Sequence, residues 1–199
     1  MTETIKKTDR RRVYKILYGF FRTLQVIFFP LSCAGLEKVP EGGAIICANH
    51  TSYLDPILLA LALTKKHHLY FMAKKELFSI PVIGYLMRAI GAFPVNRRTN
   101  DVSAVRTAMG ILKDGEKLML FPEGTRVAAN DAVAAKAGAI RLASKRKAPL
   151  VPVHVPRKKI LFRRIRITVG EPYFVDDSGG GGDALAGELM QKIKGLGEI

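Results

Sequence analysis

Ala44-Ile45-Ile46-Cys47-Ala48-Asn49-His50-Thr51-Ser52-Tyr53-Leu54-Asp55-Pro56-Ile57-Leu58-Leu59-Ala60-Leu61-Ala62-Leu63 is the stretch from which the fold can be read. A short apolar run reads as a strand, a polar turn follows, and a longer apolar run reads as a helix. Asp55 suits the N-cap, where a carboxylate accepts backbone N–H bonds, and Pro56 suits the first helical position, where no amide donor is needed. Strand, polar turn and helix in that order form the repeating unit of an α/β domain, and such domains place their sites in the turns at strand ends.

The same alternation extends outward from this unit. Leu69–Ala73, Ala92–Val95, Leu118–Phe121 and Val151–Val155 read as further strands. Helical patterns cover Pro56–Leu63, pieces of Glu76–Ile90 interrupted at Pro81, Val102–Lys113 and Ala132–Lys145. Strands separated by helices cannot be hairpins, so at least part of the sheet is parallel. In Arg164–Val169, apolar Ile165, Ile167 and Val169 alternate with polar neighbours, which predicts an edge strand with a basic outer face. A run of four glycines at 179–182 is a flexible break before a last amphipathic helix at about Ala184–Ile193. The expectation is α/β: one domain over 35–199 with a central mixed, partly parallel sheet flanked by helices.

Residues 1–34 read differently, as an amphipathic helical segment. Val13, Ile16, Leu17, Phe20, Phe21, Leu24, Ile27 and Phe28 recur at helical spacing, with Arg11, Arg12, Lys15 and Arg22 mainly off the stripe. A spanning helix needs about 20 apolar residues. Here the stretch free of charge and proline runs only from Thr23 to Phe29. The segment therefore suits the membrane interface, with its basic flank toward anionic headgroups, or packing on its own domain. It does not read as a cleavable signal, because Lys15 and Arg22 break the apolar run and no small-residue cleavage site follows.

Lysine and arginine total 32 against 17 aspartate and glutamate, a formal charge of +15 that attracts polyanions: anionic lipid, a phosphorylated substrate or nucleic acid. A 48% hydrophobic content excludes a disordered tail. Cys33 and Cys47 lack metal-ligand spacing and read as structural thiols. His67, His68 and His154 stand without acids or cysteines at ligand spacing, so no metal is expected.

The chemistry-bearing residues gather after strands. His50 follows the first, and a chain reversal can bring Asp55 to its imidazole, fixing the tautomer and stabilising imidazolium. A positioned histidine can take a proton from an attacking hydroxyl, worth roughly 10²–10⁴ in rate. By itself, though, the pair is also what a turn histidine and a helix cap would look like. Phe121-Pro122-Glu123-Gly124-Thr125-Arg126 follows another strand; Arg126 can bind phosphate through its planar fork, Gly124 lets backbone approach a ligand, and Glu123 can bind acceptor hydroxyls or hold Arg126. Gly91 to Arg98 ends in paired arginines, and Lys74 and Lys75 follow the Leu69–Ala73 strand. There is no Gly-x-Ser-x-Gly elbow, and Ser52 sits in a turn where its hydroxyl bonds backbone rather than acting as nucleophile.

These segments resemble, in order, the four blocks of the glycerolipid acyltransferase family. Asn49-His50 with Asp55 matches the histidine, four residues and aspartate of the first; Gly91 to Arg97 is similar to the second, Phe121 to Arg126 to the third, and Val151-Pro152-Val153 to the fourth. Ala73-Lys74-Lys75-Glu76-Leu77 and Lys136-Ala137-Gly138 also resemble family sequence, while Val127 departs from the small hydroxyl residue common after the third block. The resemblance implies that His50 deprotonates an acceptor hydroxyl, Asp55 orients it, Arg126 with Lys74 or Arg97 binds the acceptor phosphate, and Glu123, Gly124 and Thr125 belong to the acceptor site.

It further implies transfer of a fatty acyl group from acyl-CoA or acyl carrier protein, a thioester co-substrate with no bound cofactor, to the 2-hydroxyl of 1-acyl-glycerol 3-phosphate. A thioester is already activated, so the protein need only position, remove a proton and stabilise the oxyanion. The expected setting is an anionic phospholipid surface on the cytoplasmic face, peripheral or monotopic. Leu77, Phe78, Ile80, Val82, Ile83, Leu86 and Met87 are candidates to line an acyl tunnel. A related acyltransferase using glycerol 3-phosphate or another lysophospholipid shares this pattern. A basic nucleic-acid-binding module explains the charge and Arg157–Arg166 but not the His50, Asp55 and Glu123 arrangement, so no nucleic acid is expected as a partner.

Overall fold

Ala44 to Ala48 are all fully buried, and their alternate side chains enter two different cores, so this strand lies in the middle of a sheet covered on both faces. The computed structural model describes residues 7–63, 68–96, 99, 101–127 and 134–198, without the side chains of 7–15 and 17. In chain order the elements are α1 (Lys7–Phe28), β1 (Leu31–Ala34), β2 (Ala44–Ala48), α2 (Asp55–Leu63), β3 (Leu69–Lys74), a 3₁₀ turn (Lys75–Ser79), α3 (Pro81–Ala89), β4 (Ala92–Val95), α4 (Val102–Lys113), β5 (Lys117–Leu120), α5 (Gly138–Arg146), β6 (Leu150–His154), β7 (Ile165–Val169) and α6 (Gly182–Gly195).

The seven strands form one sheet in the order β1-β7-β6-β2-β5-β3-β4, parallel at every pairing except β6 with β7. Ala44, Ile46 and Ala48 face a core that includes Leu58, Leu59 and Leu63 of α2, Phe78 of the 3₁₀ turn, and Ile165 and Ile167 of β7. Ile45 and Cys47 face the other core, closed by Ala108 of α4, Ile140 of α5 and Leu189 of α6. Each fully buried leucine or isoleucine contributes roughly 1.5–3 kcal/mol of transfer free energy, so this two-faced packing dominates stability. The helix α1 rests on α2 and α3, leaving Ile16, Phe20, Leu24, Ile27 and Phe28 exposed along its other side. Among the described residues no helix is long and apolar enough to cross a membrane.

Three expectations are corrected. Strand β7 keeps its alternation, with Ile165, Ile167 and Val169 buried and Arg166 exposed, but it is not an edge. The edge on that side is β1, paired from Leu31 with Ile165 to Ala34 with Thr168; these four residues fell within the 1–34 helical segment but beyond its apolar stripe, and the helix stops at Phe28. A strand this short, next to a helical pattern, has too little alternation to announce itself. The helix expected over Ala132–Lys145 starts only at Gly138: Ala134–Ala137 is not helical, and Lys136 donates its amide to Pro122 O at 2.8 Å, so this stretch is bound to the loop after β5. Lys65, Lys66, His67, Arg97 and Arg98 lie outside the described residues.

Candidate active site

Strands β6, β2, β5, β3 and β4 are consecutive parallel neighbours, so their C-terminal ends lie along one edge of the sheet and the segments that follow them converge. His50 comes just after β2, Lys74 ends β3, Phe121 to Arg126 follows β5, and Lys159 lies beyond β6.

His50 and Asp55 meet: Nδ1 lies 3.2 Å from Asp55 Oδ2. The Asp55 side chain is fully buried, and Oδ2 also accepts the amides of Thr51 at 2.6 Å and Ser52 at 2.7 Å. The carboxylate therefore folds back into its own turn instead of capping α2, correcting the N-cap expectation; Ser52 Oγ in turn accepts the Leu54 amide. Oδ1 faces Lys159 Nζ at 2.6 Å, and that ammonium also donates to Thr51 Oγ1 at 2.7 Å. Burial works to raise the Asp55 carboxyl, but the bonds from His50, Lys159 and the Ser52 amide outweigh it and hold it below the ordinary carboxylate range. Asp55 is thus an anion at neutral pH, bonded on one oxygen to the imidazole. With Nδ1 committed, Nε2 is the nitrogen left for a reacting hydroxyl.

The turn after β5 locks the backbone of His50. Glu123 Oε2 accepts the His50 amide at 2.9 Å, Val127 donates its amide to His50 O at 2.9 Å, and the imidazole stacks on Phe121 with ring centroids 4.1 Å apart. Glu123 is buried, and burial pushes its carboxyl up to about 7, with the nearby Asp55 charge adding to the rise. Among the described residues it makes no ion pair with Arg126, so the expectation that it holds Arg126 gives way to one in which it anchors the histidine's backbone. Gly124 has φ +67°, and a Cβ there would come within 3.1 Å of the Lys136 side chain, which accounts for glycine. Asn49 pairs twice with the backbone of Val155, donating to O and accepting from N at 2.8 Å each, and so ties the end of β2 to the chain leaving β6.

A cavity of about 600 Å³ opens in front of His50. Its walls are Ile57, Ala60 and Leu61 of α2, Leu69 and Phe71 of β3, Leu77 and Met87, with Tyr18 and Phe21 of α1 closing one side. Lys74, Thr125 and Arg126 line it too, and the Arg126 guanidinium lies 3.5 Å above the ring of Tyr53. The tunnel expectation changes accordingly: Leu77 and Met87 line this cavity, Phe78 is in the core, and Ile80, Val82 and Ile83 are exposed. An apolar chamber with a histidine and two cations suits a ligand with a hydrocarbon part and an anionic head.

Sequence reading missed Lys159 and Tyr53. Lys159 lies within Arg157-Lys158-Lys159, where no pattern distinguishes a buried lysine from its solvated neighbours. Tyr53 gave no signal because its partner, Arg126, is brought to it only by the sheet.

A family model described as acyltransferase matches residues 30–156. The chain is 36% identical over 142 residues to 1-acyl-sn-glycerol-3-phosphate acyltransferase of Bacillus subtilis, covering 68% of this chain and 70% of that one. It is 34% identical to the Streptococcus pneumoniae protein of the same name, covering 71% of this chain but spanning only 54% of that relative. The crystal structure of the 1-acyl-sn-glycerophosphate acyltransferase PlsC from Thermotoga maritima superposes with a TM-score of 0.71 at 26% identity, over 98% of this chain and 83% of that one.

Proposed function

The chain belongs to the acyltransferase family, and from that premise we propose that it transfers a fatty acyl group from an acyl-CoA or acyl carrier protein thioester to the 2-hydroxyl of 1-acyl-glycerol 3-phosphate, giving phosphatidate. One observation carries the reading: the His50–Asp55 pair stands on an apolar cavity that Lys74 and Arg126 also line.

The acceptor's phosphate binds Arg126 and Lys74, with Arg97 assigned to the same task from its place in the second block. Its 2-hydroxyl then meets His50 Nε2. As the hydroxyl oxygen attacks the thioester carbonyl carbon, its proton passes to Nε2, and the Asp55 carboxylate on Nδ1 stabilises the resulting imidazolium. Collapse of the tetrahedral intermediate breaks the carbon–sulfur bond, and the departing thiolate takes the proton from His50. Glu123, holding the His50 amide, and Phe121, stacked on its ring, keep the imidazole in place for both transfers. No enzyme nucleophile and no bound cofactor enter the scheme. Substrate and product are lipids, and the exposed apolar side of α1 lies on an anionic membrane surface, peripheral or monotopic, at its cytoplasmic face.

The test is incubation with lysophosphatidate and a radiolabelled acyl thioester, with product analysis. His50→Ala is expected to fold normally and to lose roughly 10²–10⁴ in rate; equal phosphatidate formation by both proteins would remove His50 as the base.

A further inference from the structure

The segment between β6 and β7 carries features that the acyl-transfer scheme leaves unused. Ile160, Leu161 and Phe162 stand in sequence at 47, 54 and 67% exposure, three large apolar side chains turned away from both cores. Their backbone is held in place: Phe162 adopts φ +62°, a conformation uncommon for a bulky residue, while its amide donates to Phe28 O at 2.7 Å and its ring meets that of Phe28 at 5.7 Å. The tip is thereby fixed to the end of α1 and extends that helix's free apolar side, which includes Phe20, Ile27 and Phe28. Arg157 and Lys158 precede the tip and Arg163 and Arg164 follow it, all exposed. From Pro156 to Gly170 there is no acidic residue.

An apolar tip flanked on both sides by cations, continuous with an exposed amphipathic helix, matches the layering of an anionic bilayer leaflet: hydrocarbon beneath phosphates. A polyanion in water satisfies the cations but offers nothing to Ile160, Leu161 and Phe162. We propose that the Arg157–Arg164 loop is a second membrane-contact element, burying Ile160, Leu161 and Phe162 below the headgroups while the flanking cations engage lipid phosphates. The proposal rests on the reading of α1 as a surface-lying helix and adds a site on a separate part of the chain. It also places Lys159, the partner of Asp55, on the element that touches lipid, so the loop that docks also completes the catalytic turn.

The chain contains no tryptophan, so Phe162→Trp in the full-length protein is a single reporter that keeps an aromatic residue at the same backbone position. With vesicles of phosphatidylcholine and phosphatidylglycerol, the expected result is a blue-shifted emission quenched by lipids brominated along the acyl chain. Leu161→Asp with Phe162→Asp is expected to keep the wild-type melting temperature and to weaken vesicle sedimentation at least about tenfold, the factor for losing the burial of one large apolar side chain. Acyl transfer to a short-chain, non-aggregating lysophosphatidate should persist in that variant. Emission unchanged while the protein still pellets with vesicles would overturn the proposal and leave α1 as the contact. A shift produced by an oligonucleotide, or by protein concentration without lipid, would overturn it in favour of nucleic acid or a second copy. Insertion of the reporter in a protein that transfers no acyl group would uphold the loop and sink the proposed reaction, so the two failures read separately.

Discussion

Replacing Lys159 with methionine tests the least expected contact in the site. The side chain keeps its length and stem packing and loses only the ammonium. In the native protein Nζ lies 2.6 Å from Asp55 Oδ1, with the lysine side chain 5% exposed and the aspartate fully buried. Removing one member of a buried pair costs about 3–5 kcal/mol, because the other charge stays buried. Asp55 keeps the Thr51 and Ser52 amides and the imidazole, which places the loss at the lower end, about 3 kcal/mol. For a chain of this size that is a fall of roughly 6–12 °C in melting temperature.

The pH dependence carries a sign. The folded Asp55 carboxyl lies below its unfolded value, so its contribution is present above the unfolded pKa and is lost as pH falls through the folded pKa. Lys159 supplies part of that lowering, so the gap between wild type and Lys159→Met should be widest near neutrality and narrow in acid. The acid limb of kcat/KM should also move to higher pH in the variant. Thermal melts by circular dichroism across this range, with acyl-transfer rates alongside, measure both effects. A variant melting within the ~0.5 kcal/mol typical of surface changes, with an unmoved acid limb, would mean that Lys159 does not hold Asp55 as its charged partner.

Two further outcomes follow from the same geometry. Glu123 is raised to about 7 by burial, so its folded pKa exceeds the unfolded one; the stability it contributes is complete below the ordinary carboxylate pKa and declines as pH climbs through 7. Glu123→Gln should flatten that decline, gaining roughly 2 kcal/mol over wild type at pH 8 after allowance for solvent screening, and parallel denaturant curves at pH 5 and pH 8 would count against it. Arg126→Ala should raise KM for lysophosphatidate about 10- to 100-fold, the worth of a charge-assisted phosphate contact, with kcat less affected; an unchanged KM would move the phosphate elsewhere.

How far the site could be read in advance depended on the range of the interactions involved. Ala44–Ala48 and Ala92–Val95 form strands at the bounds their apolar runs predict, because strand formation there follows from composition between polar turns. Leu31–Ala34 was missed because only pairing with Ile165–Thr168, more than a hundred residues on, makes it a strand. Asp55 illustrates the same limit within a single turn: the residue type suits a cap, but its carboxylate is drawn back to Thr51, Ser52 and His50, and from the other side by Lys159.

Periodicity and the motifs read along the chain suffice for the α/β class, for the family, and for singling out the turn that carries His50 and Asp55. That Glu123 grips the backbone of His50, that Lys159 neutralises Asp55, and that Arg126 lies over Tyr53 on the cavity emerges from the folded arrangement alone. Strand order is the physical reason. Placing β2 between β5 and β6 brings three distant turns to one edge, and neighbours across a sheet leave no mark in the spacing of residues along it.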